Sequence, residues 1–340
     1  MPNAYHHLSA EERAVIMIEH AQGVSASAIA RRLGRNRSTI TRELKHQDPE
    51  ESYCATQAAR GYRQRRALSV RKRKLTEGSA LFGKVHDMLR YRQWSPEQIS
   101  ERLKVQYPDE AHMQVSHETI YAAIYAYPKN ELRRVFIDEL RQAKPKRGCR
   151  SKTTRYATIQ VPDSMTIHQR GEEIASREVA GHWEGDLIVG KLNKSCIGTV
   201  VERKTGFLVL CKMDDKSARS VREGFERQFK KIDRFLRLSM TYDRGSEMAE
   251  HPLMSKRLNM DIYFADPHAP WQRGSNENTN GLLRQYFPKG TDLSEISQVH
   301  LNDVAWLLNT RPRKRFGFRT PQELFDEAIA KHINSVALDS

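Results

Sequence analysis

Apolar residues recur at helical spacing near the start of the chain and change to strand-like runs in its second half, so the pattern divides the chain before any other property is considered. From Ser9 the run Ser-Ala-Glu-Glu predicts a helix with a capping box between Ser9 and Glu12, and Val15, Ile16 and Ile18 supply its apolar face up to Gly23. Ser25 caps a second short helix through Ile29, Ala30 and Leu33. Gly34 makes the turn, and Asn36 caps a third helix that runs to Leu44. Between Arg60 and Lys74 the periodicity lapses into basic residues, which reads as an arm or linker over 51–80. Helical spacing returns over 81–143, with a start at Ser95-Pro96-Glu97-Gln98 followed by Ile99 and Leu103, and a cap at Ser116 followed by Ile120 and Ile124. From Lys144 to Arg155 no hydrophobic period survives, so the main boundary is placed in a basic linker, 144–175.

The remainder, 176–330, changes character. Strand-like runs are predicted at Trp183 to Val189, Ile197 to Glu202, Phe207 to Met213, Leu236 to Asp243 and Ile262 to Phe264. A helix capped by Ser217 carries Val221, Phe225, Phe229 and Ile232 on one stripe. Another starts at Ser275 and runs through Leu282, Leu283, Tyr286 and Phe287 until Pro288 stops it, and Leu301 to Leu308 forms a further amphipathic helix. Three antiparallel strands followed by helix, strand, helix, strand and helix is the order of an RNase H-like sheet. The fold class expected is therefore multidomain, an all-α helix-turn-helix region before an α/β RNase H-like domain.

Charge decides what such a chain meets. Its 340 residues carry a formal net charge of +15, which favours a polyanion, and nucleic acid above all. A merely basic protein is the plain alternative; the three helices at the front favour double-stranded DNA. In a helix-turn-helix the third helix enters the major groove by its first residues, so Arg37, Ser38, Thr39, Thr41 and Arg42 are the candidate base readers and Arg35 a phosphate contact. Arg71 and Arg73 of the arm, Lys146 and Arg147 of the linker, and His117 and Tyr121 of the second helical region are further candidates. No apolar run spans a bilayer and the start is polar, which predicts a cytoplasmic, nucleoid-associated protein. Cys54, Cys149, Cys196 and Cys211 are scattered, suggesting neither a disulfide framework nor a zinc knuckle.

Three acids stand out by position rather than by number. Asp186 lies inside an apolar strand, where an unpaired charge is costly, and Glu184 shares its face two residues away. Asp243 ends a strand, and Glu277 occupies the first turn of a helix that can pack beside that edge, with Arg284 two turns on along the same stripe. Converging carboxylates are hard oxygen ligands suited to two Mg2+ ions, with Mn2+ a substitute, for in-line displacement at phosphorus. A plainer reading makes Asp186 a salt bridge, Asp243 a turn residue and Glu277 a helix-dipole partner. His182, His251 and His268 lack metal-ligand spacing. Trp271 could stack on an unpaired base or anchor its loop, and Arg273 joins the candidate DNA contacts.

Three stretches, His182-Trp-Glu-Gly-Asp-Leu-Ile-Val-Gly190, Thr241-Tyr-Asp-Arg-Gly-Ser-Glu-Met-Ala249 and Ala265 to Asp292, resemble the DDE-type transposases of bacterial insertion sequences, specifically the insertion-sequence-thirty family. The front helices, Ile29 to Leu44, fit the same resemblance; Ala269 stands where Ser is more usual. The resemblance implies an RNase H-like catalytic domain in which Asp186, Asp243 and Glu277 are the metal-binding triad and Arg284 the basic residue that follows it. It also implies binding of terminal inverted repeats; the activity expected is strand cleavage and 3′-hydroxyl strand transfer, and because synapsis needs two ends, a homodimer or higher oligomer is expected on DNA. The rival expectations are a DNA-binding regulator with a decayed catalytic domain, and a nuclease without strand transfer.

Overall fold

The computed structural model describes residues 6–46, 52–69, 73–126, 159–267 and 269–338. Two compact units result, Met1–Arg73 and Lys74–Ser340. In the first, α1 (Ala10–Ala21), α2 (Ala26–Arg32) and α3 (Arg37–Lys45) close on Leu8, Ile16, Ile29, Ala30 and Ile40. The capping box at Ser9 and Glu12 and the caps at Ser25 and Asn36 satisfy the first amides of all three helices. Gly34, at φ +61°, makes the turn into α3 in a conformation other residues reach only under strain.

The stretch expected to be a basic arm instead carries a helix, α4 (Ala55–Ser69). Only Ala58 on this helix is buried, and with Tyr53 just before it joins the core of the first unit. So narrow an apolar face, ringed by arginines, leaves no periodicity to read. Beneath it Arg13 and Glu43 form a buried ion pair at 2.6 Å, and the Tyr53 hydroxyl donates to the same carboxylate at 3.3 Å. Glu43→Ala would leave the Arg13 guanidinium buried without its counter-charge, held only by the Leu8 carbonyl and the Tyr62 ring, so a loss of about 3 kcal/mol is expected in the first unit. Hydrogen exchange should show it as faster exchange in α1 and α3, with the second unit unchanged.

The second unit opens with α5 (Ala80–Arg90), α6 (Pro96–Gln106) and α7 (His117–Ala126), packed on Leu81, Val85, Leu89, Trp94, Ile99, Leu103, Ile120 and Ile124. These helices belong to the same compact unit as the sheet that follows. Arg102 of α6 pairs with Glu323, and the Gln98 amide donates to the Pro312 carbonyl at 3.0 Å. Residues 127–158, which take in the end of the expected helical region and the first part of the expected linker 144–175, lie outside the described residues.

Five strands follow, β1 (His182–Val189), β2 (Cys196–Glu202), β3 (Leu208–Lys212), β4 (Ser239–Tyr242) and β5 (Asp261–Phe264), in the order β3-β2-β1-β4-β5. β1 to β3 pair antiparallel, while β4 and β5 run parallel to β1. This is the RNase H-like arrangement, and it follows from helix α8 (Ala218–Phe229) and helix α9 (His251–Leu258), which return the chain to the same end of the sheet. One face buries Trp183, Val200, Met240, Tyr242 and Phe264 against Phe225 and Phe229 of α8. The other buries Ile188, Ile197 and Val201 against helix α10 (Gly274–Leu283) and helix α11 (Gln298–Asn309), before the last helix, α12 (Pro321–Leu338).

The fourth strand begins later than its apolar pattern suggests, because Leu236 sits in a single helical turn whose carbonyl accepts from the Trp183 indole at 2.7 Å. α10 also differs. It starts at Gly274, with Ser275 buried inside it, and ends at Leu283, so Tyr286 and Phe287 pack from the turn beyond.

Candidate active site

Alternation along the strands places Glu184, Asp186 and Ile188 on the face covered by α10, and Ser239 and Thr241 share that face from β4. Glu184 is paired with Thr241 in the parallel register, so Asp186 and Asp243, each two residues further, emerge side by side. Gly185, between Glu184 and Asp186, is forced by space. A Cβ there would come within 2.6 Å of the Tyr242 ring.

One guanidinium spans the two carboxylates. Arg273, just ahead of α10, donates to Asp243 Oδ2 at 3.1 Å, lies 3.4 Å from Asp186 Oδ1, and donates to the Gly185 carbonyl at 3.0 Å. Asp186 also accepts from the Leu187 amide and from the Asn280 side chain, both at 2.9 Å. Burial pushes the Asp186 carboxyl above the ordinary aspartate range; Arg273 opposes that rise and the Asp243 charge adds to it. Asp243 Oδ1 is buried without a hydrogen-bond partner. Glu247 joins this acidic neighbourhood, its carboxyl raised first by burial and also by the charges of Asp243 and Asp186.

Glu277 is in the first turn of α10 and exposed. Among the described residues no three His, Cys, Asp or Glu side chains stand close enough together to hold a metal ion, while Arg273 links Asp186 and Asp243. Arg284 caps the C-terminal end of α10, where its backbone amide donates to the Asn280 carbonyl and its guanidinium to the Phe287 carbonyl. Burial lowers the Arg284 pKa and the Asp186 charge opposes that.

A helix-turn-helix domain model matches residues 4–47 and an integrase core domain model matches residues 176–270. The transposase for insertion sequence element IS1086 of Cupriavidus metallidurans is 46% identical over 96% of both chains. The chain belongs to the IS30 family of insertion-sequence transposases. The InsI transposase of element IS30A from Escherichia coli K12 is 38% identical over 95% of this chain and 84% of its own, and the IS4351 transposase of Bacteroides fragilis is 33% identical over 98% and 99%.

Elsewhere in this transposase the candidate contacts divide. Arg37, Ser38 and Arg42 are exposed on α3, with Thr39 and Thr41 half-buried beside them. The Ser38 hydroxyl and amide both bond to Asn36, and the Thr41 hydroxyl donates to the Arg37 carbonyl. Arg35 is engaged inside its unit by a two-pronged pair with Glu12 at 2.7 and 3.1 Å. Arg73 is exposed, as is His117 beside Glu118, while Tyr121 is half-buried and stacks on Tyr125. Trp271 is 73% exposed, which leaves its ring open to a stacking partner. Arg273, expected among the DNA contacts, bonds to Asp243 and lies beside Asp186. Arg71, Lys146, Arg147 and His268 lie outside the described residues. His182 bonds to Ser239 and His251 to the Met248 carbonyl, both as buried structural groups. Among the described residues Cys54, Cys196 and Cys211 form no disulfide, and no helix is long and apolar enough to cross a membrane.

Sequence reasoning passed over Asn280, Glu247 and the bridging part of Arg273. The signals were present, since Asn280 is one turn past Asn276 and Glu247 follows Asp243 within one motif, but nothing local says which face each would meet.

The raised Asp186 pKa carries a sign. A carboxyl that binds its proton more tightly when folded stabilises the fold most below the ordinary aspartate pKa, and that contribution is lost as pH rises through the folded value. Metal-free Asp186→Asn should therefore melt above the wild type at pH 7, with the gap closing as pH falls towards 4. Thermal melts in chelator across that range would check it, and a gap that widens towards acid would contradict the reading.

Proposed function

We propose that this transposase binds the terminal inverted repeats of its element through α3 and uses Asp186, Asp243 and Glu277 to hold two Mg2+ ions, or Mn2+ in their place, for strand cleavage and 3′-hydroxyl strand transfer. The observation that carries the reading is the pairing of Asp186 and Asp243 on neighbouring parallel strands, one with a buried oxygen that has no partner. Such an oxygen suits a hard divalent cation, and the guanidinium of Arg273 already marks the place between the carboxylates as one that takes positive charge. Glu277, from the adjoining helix, is the third donor in this reading.

When bound, the ions would activate the attacking oxygen and neutralise the leaving oxygen. The chain's own residues do the placing. Asn280 and the Leu187 amide fix the Asp186 carboxylate, and Arg273 balances the acids in the metal-free chain. Hydrolysis adds water across a phosphodiester, breaking the bond to the 3′ oxygen and leaving a 3′-hydroxyl and a 5′-phosphate. The freed hydroxyl then attacks a second phosphodiester and displaces its 3′ oxygen. Synapsis of two ends calls for at least a homodimer on DNA, which mass measurement of the complex would check.

Incubating the chain with labelled terminal repeats and Mg2+ tests the proposal. Asp186→Ala, Asp243→Ala or Glu277→Ala should abolish nicking and joining while end binding persists; joined product from any one of them would remove that residue from the mechanism. Binding without metal-dependent product from the wild type would favour the regulator reading, and nicked without joined product the nuclease reading. Arg42→Ala should weaken end binding by roughly ten-fold, in keeping with about 1–3 kcal/mol for a base contact. An unchanged binding isotherm would remove Arg42 from the interface.

A further inference from the structure

The acid nearest the site in sequence has no free valence for a metal. Glu184 is fully buried, with no solvent exposure at all. Its Oε2 accepts from the backbone amides of Ser275 and Asn276, at 2.9 and 3.0 Å, and its Oε1 pairs with Arg203. No side chain within α10 caps its N-terminus, so this carboxylate does the capping from the neighbouring strand. Asn276, also fully buried, ties the same turn down from its own side. Its amide donates to the Glu184 and Thr199 carbonyls at 2.7 and 3.0 Å and accepts from the Thr199 hydroxyl at 2.9 Å. Arg203 in turn is held by the Ile174 carbonyl at 3.1 Å.

We propose that Glu184 is a positioning residue that sets where α10, and with it Glu277, stands relative to Asp186 and Asp243. The inference rests on the reading of Glu277 as a metal-holding residue, but the docking of α10 can be read without any chemistry. Glu184 stands next to both jobs: two residues before Asp186 on β1, and bonded to the amide of the residue just before Glu277. The charge matters as well as the hydrogen bonds. Glu184→Gln keeps an oxygen for the two amides and loses the pair with Arg203; Glu184→Ala loses both.

The experiment uses the full chain. Hydrogen exchange with mass readout over 274–283 should quicken by at least ten-fold in Glu184→Ala and by less in Glu184→Gln, while peptides of β4 and β5 stay protected. On terminal-repeat DNA with Mg2+, kcat should fall by at least ten-fold in Glu184→Gln with KM within two-fold of wild type, and the Mn2+ concentration that half-saturates binding, read by electron paramagnetic resonance, should rise. Should Glu184→Ala fail to fold, Glu184→Gln alone decides. Wild-type exchange over 274–283 together with wild-type kcat and Mn2+ binding in Glu184→Gln would overturn the proposal. If the wild type itself cleaves nothing and binds no Mn2+, the catalytic reading fails, while the exchange data still settle the docking of α10.

Discussion

Like charges held side by side dominate this molecule. Asp186 and Asp243 leave neighbouring strands in the same direction, and without compensation two partly buried carboxylates repel each other and lose their water. Arg273 supplies the compensation, and it can do so only because the turn before α10 is held against the sheet. The position of that helix is thus set by electrostatics at its start and by apolar packing at its end, where Leu283 and Phe287 meet Leu301, Val304 and Leu308. Remove either and the carboxylates lose their counter-charge.

Much of this was legible in the chain. The capped front helices appear where Ser9, Ser25 and Asn36 place them, and the alternation from Trp183 onward marked the sheet, because a period of two or of 3.6 survives in any local window. Asp186 was conspicuous for the same reason, a charge inside an apolar run. What escaped was non-local. Ser275 looked like a cap, yet the capping oxygen comes from Glu184 on another element, and no spacing rule connects positions so far apart. Arg273 reads as a candidate DNA contact, and its place between Asp186 and Asp243 depends on elements far apart in the chain. α4 escaped because one alanine and one tyrosine suffice to dock it, and the arginines around them speak more loudly than a two-residue face.

The two units also differ in how they use buried charge. In the first, Arg13 and Glu43 satisfy each other beneath α4 and leave the exposed arginines of α3 unencumbered. In the second, Glu184 and Arg203 form a comparable pair, but the carboxylate is shared with the backbone of α10, so a structural bond and the alignment of a helix depend on one group.

Gly185 gives that arrangement a further meaning. Because the Tyr242 ring fills the space its side chain would need, the residue between Glu184 and Asp186 is held to a single identity, and the two acids keep a fixed phase along the strand. The triplet Glu-Gly-Asp then works as one compound letter, its first acid turned to architecture and its last to the open edge. A search for distant relatives that scored the three positions together, rather than the final aspartate alone, would separate chains that can seat such a helix from those that merely contain an acid in a strand.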